Sequence, residues 1–307
     1  MSSYGADTLA HFHTLRDYWR WAISRFEAAK LDYSQGKQNA RAEAAYLLAR
    51  TLGLAPEDFA EFLDARLLPE ERQRLLDALR RRELERLPAA YITQEAWFCG
   101  LQFYIDERVL IPRSLLETSI ESGFQPWLTQ APQQILDLCT GSGCIAISLA
   151  YAFPGAQVDA ADISEDALAV TRHNIETHGV GAYVQALHSD LFDGLAGRRY
   201  DLIVSNPPYV DAEAMAELPA EYQHEPALAL ASGADGLDAV MRILQQAAAH
   251  LHDHGVLVVE VGDSEAALQA RYAQIPFLWL EQPHGGSGVF LLTAVQLREY
   301  ASHFVDR

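Results

Sequence analysis

Basic residues are scarce in this chain: 23 lysines and arginines stand against 42 aspartates and glutamates, for a formal net charge of −19. A protein that grips nucleic acid must neutralise phosphates and normally carries excess Lys and Arg. The global field here repels DNA and attracts a basic protein partner. Cysteine is nearly absent too. Cys99, Cys139 and Cys144 form no C-x-x-C pair and cannot all be joined within the chain, which suits a reducing compartment and buried, unreactive thiols. No stretch approaches the ~18 uninterrupted apolar residues of a membrane helix, and the N-terminal stretch lacks a basic segment followed by an apolar one. The expected location is cytoplasmic, away from any membrane. No internal repeat or low-complexity tract appears. What remains is half hydrophobic and only 21% charged, the balance of a well-packed globular protein, and 307 residues suit two domains at ~150 residues each.

The hydrophobic period changes near residue 95. Before it, apolar residues recur at helical spacing: Leu15, Tyr18, Trp19 and Ala22, then Ala44, Leu47, Leu48 and Leu52, then Leu75, Leu76, Leu79, Leu84 and Leu87. Residues 1–95 therefore read as a small all-helical domain. Within it, "LRRRELERL" at 79–87 alternates arginine with glutamate and places Arg81 and Glu85 at i,i+4, the pattern of a solvated helix face. "EAWFCGLQFYIDERVLIPR" at 95–113 alternates aromatic and polar residues around Gly100 and predicts a β-hairpin linker over 96–112.

From residue 113 to 307, strand and helix signals alternate. Strands are predicted at 134–138, 157–162, 183–188, 200–205, 255–261, 277–281 and 288–293, with helices near 143–153, 164–178, 236–252 and 264–274. Such alternation predicts an α/β fold, a largely parallel sheet covered by helices on both faces. Sheets of this kind bind ligands beyond the carboxyl ends of their strands, where strand order reverses.

At the first of those ends "QILDL" runs into "CTGSGCIA", placing Gly141 and Gly143 in a strand-to-helix turn where backbone N–H groups can approach a ligand. Residues 141–146 satisfy G-x-G-x-x-G/A, and Asp162 lies 19 residues beyond Gly143, near the ~20 expected of a ribose-binding carboxylate. NAD, FAD and S-adenosylmethionine enzymes all share that pattern. Asp137, just before the turn, favours S-adenosylmethionine, because a carboxylate there can organise the loop around a cationic amino-acid moiety and would oppose a pyrophosphate. After the third strand, "HSDLF" offers Asp190 as acceptor for an adenine amine, with Phe192 or Leu191 to cover the ring.

The fourth strand ends in "SNPPYV" at 205–210. Two prolines explain why the strand stops, but not the asparagine before them or the aromatic after. The Asn206 side-chain oxygen and the Pro207 carbonyl can accept both hydrogens of a substrate NH₂, while the Tyr209 ring stacks on its planar amide or base and Pro208 stiffens the turn. No acid–base dyad or nucleophile accompanies them, so positioning has to supply most of the acceleration.

With those residues in place, the chain resembles the HemK/PrmB family of protein-glutamine methyltransferases. "DLCTGSG", "SDLF", "NPPY" and "ERVLIPRS", with the all-helical N-terminal region, carry the likeness over nearly the whole chain. It implies a seven-stranded Rossmann-like S-adenosylmethionine-dependent sheet behind a helical substrate-recognition domain. It implies cofactor contacts from the loop Cys139, Thr140, Gly141, Ser142 and Gly143, from Asp162 and from Phe192, and substrate contacts from Asn206, Pro207, Pro208 and Tyr209. Arg113 and Glu117 match the family's Pro-Arg-x-x-x-Glu stretch, which implies that they line the pocket. Within the family, "AYITQEAWFCGLQFYIDERVLIPRS", "LCTGSGCIAI" and "YQHEPALALASGADGL" resemble the branch that methylates a glutamine of the third large-subunit ribosomal protein. The release-factor branch tends instead to D-L-G-T-G-T-G and P-R-P-D-T-E. Here Cys139 replaces that first glycine, and Ser114-Leu115-Leu116 replaces Pro-Asp-Thr. The expected reaction is N-methylation of a glutamine side chain in that ribosomal protein, with release-factor methylation, DNA adenine methylation and a non-catalytic assembly role as the alternatives.

Two further stretches carry no such chemistry. "HLHDH" at 250–254 spaces three histidines at alternate positions, but it stands where a helix is predicted to end before Gly255, and histidines there suit the helix dipole better than a metal. "GGSG" at 285–288 joins two predicted strands without a Lys or a following helix, so a hairpin turn is expected. No metal site is expected.

Overall fold

The structure, a computed structural model of the chain, describes Tyr4 and residues 10–281 and 285–305. The chain divides into two compact units: Met1–Glu95 with Pro219–His224, and Ala96–Leu218 with Glu225–Arg307. The short segment 219–224 thus leaves the region that the sequence assigns wholly to the second domain.

The first unit is helical. Leu15–Ala29, Ala40–Thr51, Pro69–Leu84 and Ala89–Thr93 are α-helices, with a 3₁₀ stretch at Pro56–Phe62. Their starts follow local chemistry. Asp17 accepts the Thr14 backbone N–H at 2.9 Å, Asn39 caps Ala42 N–H at 2.9 Å, and Pro69 occupies a first turn where its missing N–H costs nothing. Tyr18, Ala22, Phe26, Leu47, Leu48, Leu75 and Leu79 are buried together.

The stretch 79–87 departs from a solvated face. Arg80 pairs with Glu85 on the surface, but Arg82 is only 1% exposed. It occupies the next position of the Leu75–Leu79 stripe. Its guanidinium donates to Glu43 at 2.6 Å, to Glu221 at 3.2 Å and to the Asp32 carbonyl at 2.6 Å, and Glu221 also takes the Asp32 N–H and Arg86. Leu84, expected in the stripe, is exposed instead.

The second unit opens with a two-stranded hairpin, β1 (Glu95–Phe98) and β2 (Leu101–Tyr104). Its two-residue turn, Cys99-Gly100, has φ of 48° and 69°, the left-handed pair that matches strand twist. The main sheet has seven strands: β3 (Gln134–Leu138), β4 (Gln157–Asp162), β5 (Val184–His188), β6 (Tyr200–Ser205), β7 (Leu251–Glu260), β8 (Leu278–Trp279) and β9 (Val289–Thr293). Their order is β5-β4-β3-β6-β7-β9-β8, and only β9 runs antiparallel to its neighbours. Central parallel strands covered on both faces read as unbroken apolar runs, which is why 134–138 and 200–205 are legible. Leu136, Leu138 and Ile203 pack on one side with helix Asp238–Gln246, while Ile135, Leu202 and Val204 pack on the other with helix Cys144–Ala152. Strand order reverses between β3 and β6, where Leu138 pairs with Ser205 and the Ser205 hydroxyl donates to the Leu138 carbonyl at 2.9 Å. Cys139 and Asn206 are the next residues of the two strands, so the glycine loop and the N-P-P-Y turn leave the sheet side by side.

β7 begins at Leu251, not at 255, so His252 and His254 lie on a strand and the expected helix end is displaced to Gln246. Backbone pairing of Tyr200 with Leu251 draws this segment into the sheet. His254 bonds Asp201 at 2.8 Å, His250 bonds the Arg198 carbonyl at 3.1 Å, and the His250 ring stacks on Phe192. "GGSG" lies in the connection between the antiparallel β8 and β9, of which 282–284 fall outside the described residues. A Cβ on Gly288 would stand 2.3 Å from the Gly262 carbonyl oxygen, so the turn admits only glycine there. No helix among the described residues is long and apolar enough to cross a membrane.

Candidate active site

A cavity of about 230 Å³ opens beyond the carboxyl ends of β3, β4 and β6. Asp162, the last residue of β4, shapes its floor. One carboxylate oxygen accepts the Gly141 N–H and the other the Ser164 N–H, both at 2.9 Å. Burial pushes its carboxyl above the ordinary carboxylate range, opposed by those two N–H groups. Gly141 itself lines the cavity with φ +57°, and an added Cβ would meet nothing within 4 Å, so the loop backbone lies open to a ligand.

Of the residues predicted to hold a cofactor, Cys139, Gly141, Asp162 and Asp190 line this cavity. The others do not. Asp137 is wholly buried beneath the loop. Its Oδ2 accepts the Thr140 hydroxyl at 2.6 Å and the Ala146 N–H at 3.0 Å, and burial pushes its pKa up to about 7. It holds the turn in shape from below. Gly143 starts helix Cys144–Ala152 where a Cβ would strike the Thr171 methyl at 2.9 Å, and the Ser142 carbonyl is held by Asn174 at 2.8 Å. Phe192 is buried in the core. Leu191, with φ of 49°, faces the cavity in its place.

The substrate residues also separate. Asn206 and Pro208 reach the cavity wall, Pro207 is buried, and Tyr209 is half-buried with its hydroxyl donating to Glu260. Neither Arg113 nor Glu117 lines the cavity. Arg113 grips buried Glu225 through two bonds of 2.5 and 2.8 Å, and Glu117 accepts the Cys99 N–H at 2.6 Å to fix the hairpin turn. Residues absent from the sequence reading complete the wall: Arg108 and Val109 from the segment after the hairpin, Pro226 and Ala229 from the segment after Glu225, and Arg242, which pairs with Asp190 at 2.9 Å. Arg108 and Val109 stand inside "ERVLIPRS", and Pro226 and Ala229 inside "YQHEPALALASGADGL", stretches that carry the family likeness without marking which of their residues face the cavity. Cys144 and Cys99 have thiols pushed up to about 12 by burial, and burial raises Cys139 as well, so all three stay protonated and unreactive near neutrality.

These groups fit S-adenosylmethionine: two carboxylates for hydroxyl and amine donors, an open glycine backbone, and apolar Ile163, Leu191 and Ala167 for a flat ring. Asp162→Ala should raise the dissociation constant for that cofactor at least tenfold, since a lost carboxylate acceptor is worth about 1.5–3 kcal/mol. Titration calorimetry checks this, and unchanged affinity would reduce Asp162 to a brace for the loop.

Fold and site together define an S-adenosylmethionine-dependent methyltransferase, and residues 124–223 match the family model described as Methyltransferase small domain. Residues 17–93 match the PrmC N-terminal domain. The chain is 50% identical over 286 residues to a ribosomal protein uL3 glutamine methyltransferase of Neisseria gonorrhoeae, covering 92% of this chain and 95% of that one. A protein of the same description from Neisseria meningitidis serogroup A is equally similar, with 94% of it covered. The chain belongs to the family of ribosomal protein uL3 glutamine methyltransferases. The hMettl16 catalytic domain, solved in complex with MAT2A 3′UTR hairpin 1, shares the fold at 18% identity and a TM-score of 0.51, over 82% of this chain and 91% of that one.

Proposed function

We propose that this chain methylates the side-chain amide nitrogen of a glutamine in ribosomal protein uL3. The observation that carries the reading is the position of Asn206, on the cavity wall beside the glycine loop, in a chain half identical to enzymes of that description. S-Adenosylmethionine would supply an electrophilic methyl group: an N–C bond forms on the amide as the sulfonium C–S bond breaks, the thioether is the leaving group, and one amide proton passes to water.

The amide nitrogen is a poor nucleophile because its lone pair is delocalised into the carbonyl. The Asn206 side-chain oxygen and the Pro207 carbonyl accept its two hydrogens, lend it electron density and aim it. The Tyr209 ring packs on the amide plane. Asp162 takes the ribose hydroxyls, Asp190 the adenine amine, and Leu191 covers the ring. Asp137 acts one step back, holding the loop through Thr140 and Ala146.

One glutamine resembles every other, so selectivity needs surface beyond the pocket, and the helical unit is assigned to substrate recognition. The net charge of −19 speeds encounter with a basic ribosomal protein, in the cytoplasm, and association slows as salt rises. The test offers methyl-tritiated S-adenosylmethionine with three separate acceptors: uL3, a release factor bearing its Gly-Gly-Gln loop, and duplex DNA. Mass spectrometry should find one methyl on a uL3 glutamine. Preferential labelling of the release factor or the DNA would replace the substrate, and no labelling of any acceptor would remove the activity.

A further inference from the structure

Glu260 ends β7, one strand away from Asn206, and is 2% exposed. A carboxylate so placed is costly unless its oxygens are occupied. One oxygen takes the Ser114 hydroxyl at 2.5 Å and the Leu115 N–H at 3.0 Å. That pair alone would serve to tie the 114–115 turn to the sheet. The other oxygen accepts the Tyr209 hydroxyl at 3.2 Å.

The rest of Tyr209 is clamped as well. Ser264 donates to its carbonyl at 2.8 Å. A Cβ on Gly236 would stand 2.3 Å from that same carbonyl oxygen, and a Cβ on Gly262 would stand 2.6 Å from the ring. Both glycines have positive φ, so neither position tolerates a side chain on backbone grounds either. Two chain segments, 260–264 and the turn at Gly236, therefore converge on one aromatic residue three positions after Asn206. A buried tyrosine hydroxyl takes a partner in any case; what distinguishes Tyr209 is that hydroxyl, ring and carbonyl are each fixed, beside Asn206 on the cavity wall.

We infer that Glu260 is a positioning residue of the methyl-transfer site, fixing through the Tyr209 hydroxyl the ring against which the substrate amide is aligned. The inference rests on the glutamine-methylation reading. Burial raises the pKa of Tyr209, and the Glu260 charge adds to the rise, so the hydroxyl keeps its proton and remains a donor; burial also raises Glu260, opposed first by the Ser114 hydroxyl and the Leu115 N–H.

Because the hydrogen bond has two ends, it can be broken from either. Tyr209→Phe removes the donor and keeps the ring. Glu260→Gln keeps the volume but puts an amide NH₂ against one of the two donor sets. Each single variant should lower kcat on uL3 about tenfold with the S-adenosylmethionine dissociation constant unchanged by calorimetry, and the double variant should be no slower than the slower single one. Losses that multiply in the double variant, or cofactor affinity that falls in step with kcat, would show that Glu260 supports only the fold. If Glu260→Gln does not fold, a wild-type kcat in Tyr209→Phe overturns the inference by itself. Wild-type enzyme inactive on uL3 would overturn the glutamine reading and this inference with it, whereas active wild type with multiplying losses would overturn the inference alone.

Discussion

Asn206→Ala is expected to reduce methyl transfer to uL3 by about 10²–10³-fold or more while S-adenosylmethionine still binds. Removing one preorganised hydrogen-bonding group from a reacting centre costs of that order, and here the lost group is an acceptor that holds the nucleophile. The split follows from the sheet. Asn206 leaves β6 beside the glycine loop, whereas Asp162 and Gly141, which form the cofactor floor, belong to β4 and the loop after β3 and are tied to each other at 2.9 Å. Truncating Asn206 leaves that floor intact. Calorimetry with the cofactor and mass spectrometry of uL3 separate binding from transfer. A folded variant that no longer binds the cofactor would move Asn206 to the cofactor's side of the cavity, and wild-type turnover would remove it from the chemistry.

How much of this was legible follows from where each signal resides. β3 and β6 are apolar runs closed by turn residues, and Asp162 and Asn206 stand at their family spacing, so the strand ends and the acids and amide on them could be placed from sequence. Arg108, Ala229 and Arg242 could not, because the patterns of their segments, a predicted hairpin linker over 96–112 and a predicted helix near 236–252 among them, give the type of element and not which side chains reach the cavity. Phe192 and Leu191 were open alternatives. The left-handed backbone at Leu191 decides between them by turning the smaller side chain to the cavity and sending Phe192 into the core. Arg113 and Glu117 stand at the right places in the sequence pattern, yet their partners, Glu225 and the Cys99 N–H, draw them away from the cavity. At 250–254 Gly255 looked like a stop. It is an interior strand residue where a Cβ would stand 2.9 Å from the Tyr200 carbonyl oxygen, so close strand approach and not chain reversal demands the glycine.

Arg82→Met should destabilise the helical unit by about 3–5 kcal/mol, the usual cost of removing one partner from a buried ion pair. Arg82 was the least visible of the structural residues, because "LRRRELERL" reads as an alternation of charges. The helix nevertheless puts position 82 on the stripe of Leu75 and Leu79, facing Glu43 and Glu221. Methionine keeps much of the volume and leaves both carboxylates buried, with only Glu221 retaining a cation in Arg86. The pH dependence identifies the cause. Burial already raises the Glu43 carboxyl above its ordinary value, with Arg82 opposing the rise, so losing Arg82 raises it further. A carboxyl raised in the folded state binds more protons folded than unfolded. Its penalty is absent below the unfolded value of about 4.3 and complete above the folded one. Urea titrations should therefore show the deficit of Arg82→Met shrinking as pH falls toward that value. A deficit equal at all pH values would assign the loss to packing, and a deficit under about 1 kcal/mol would mean that water replaces the guanidinium at this site.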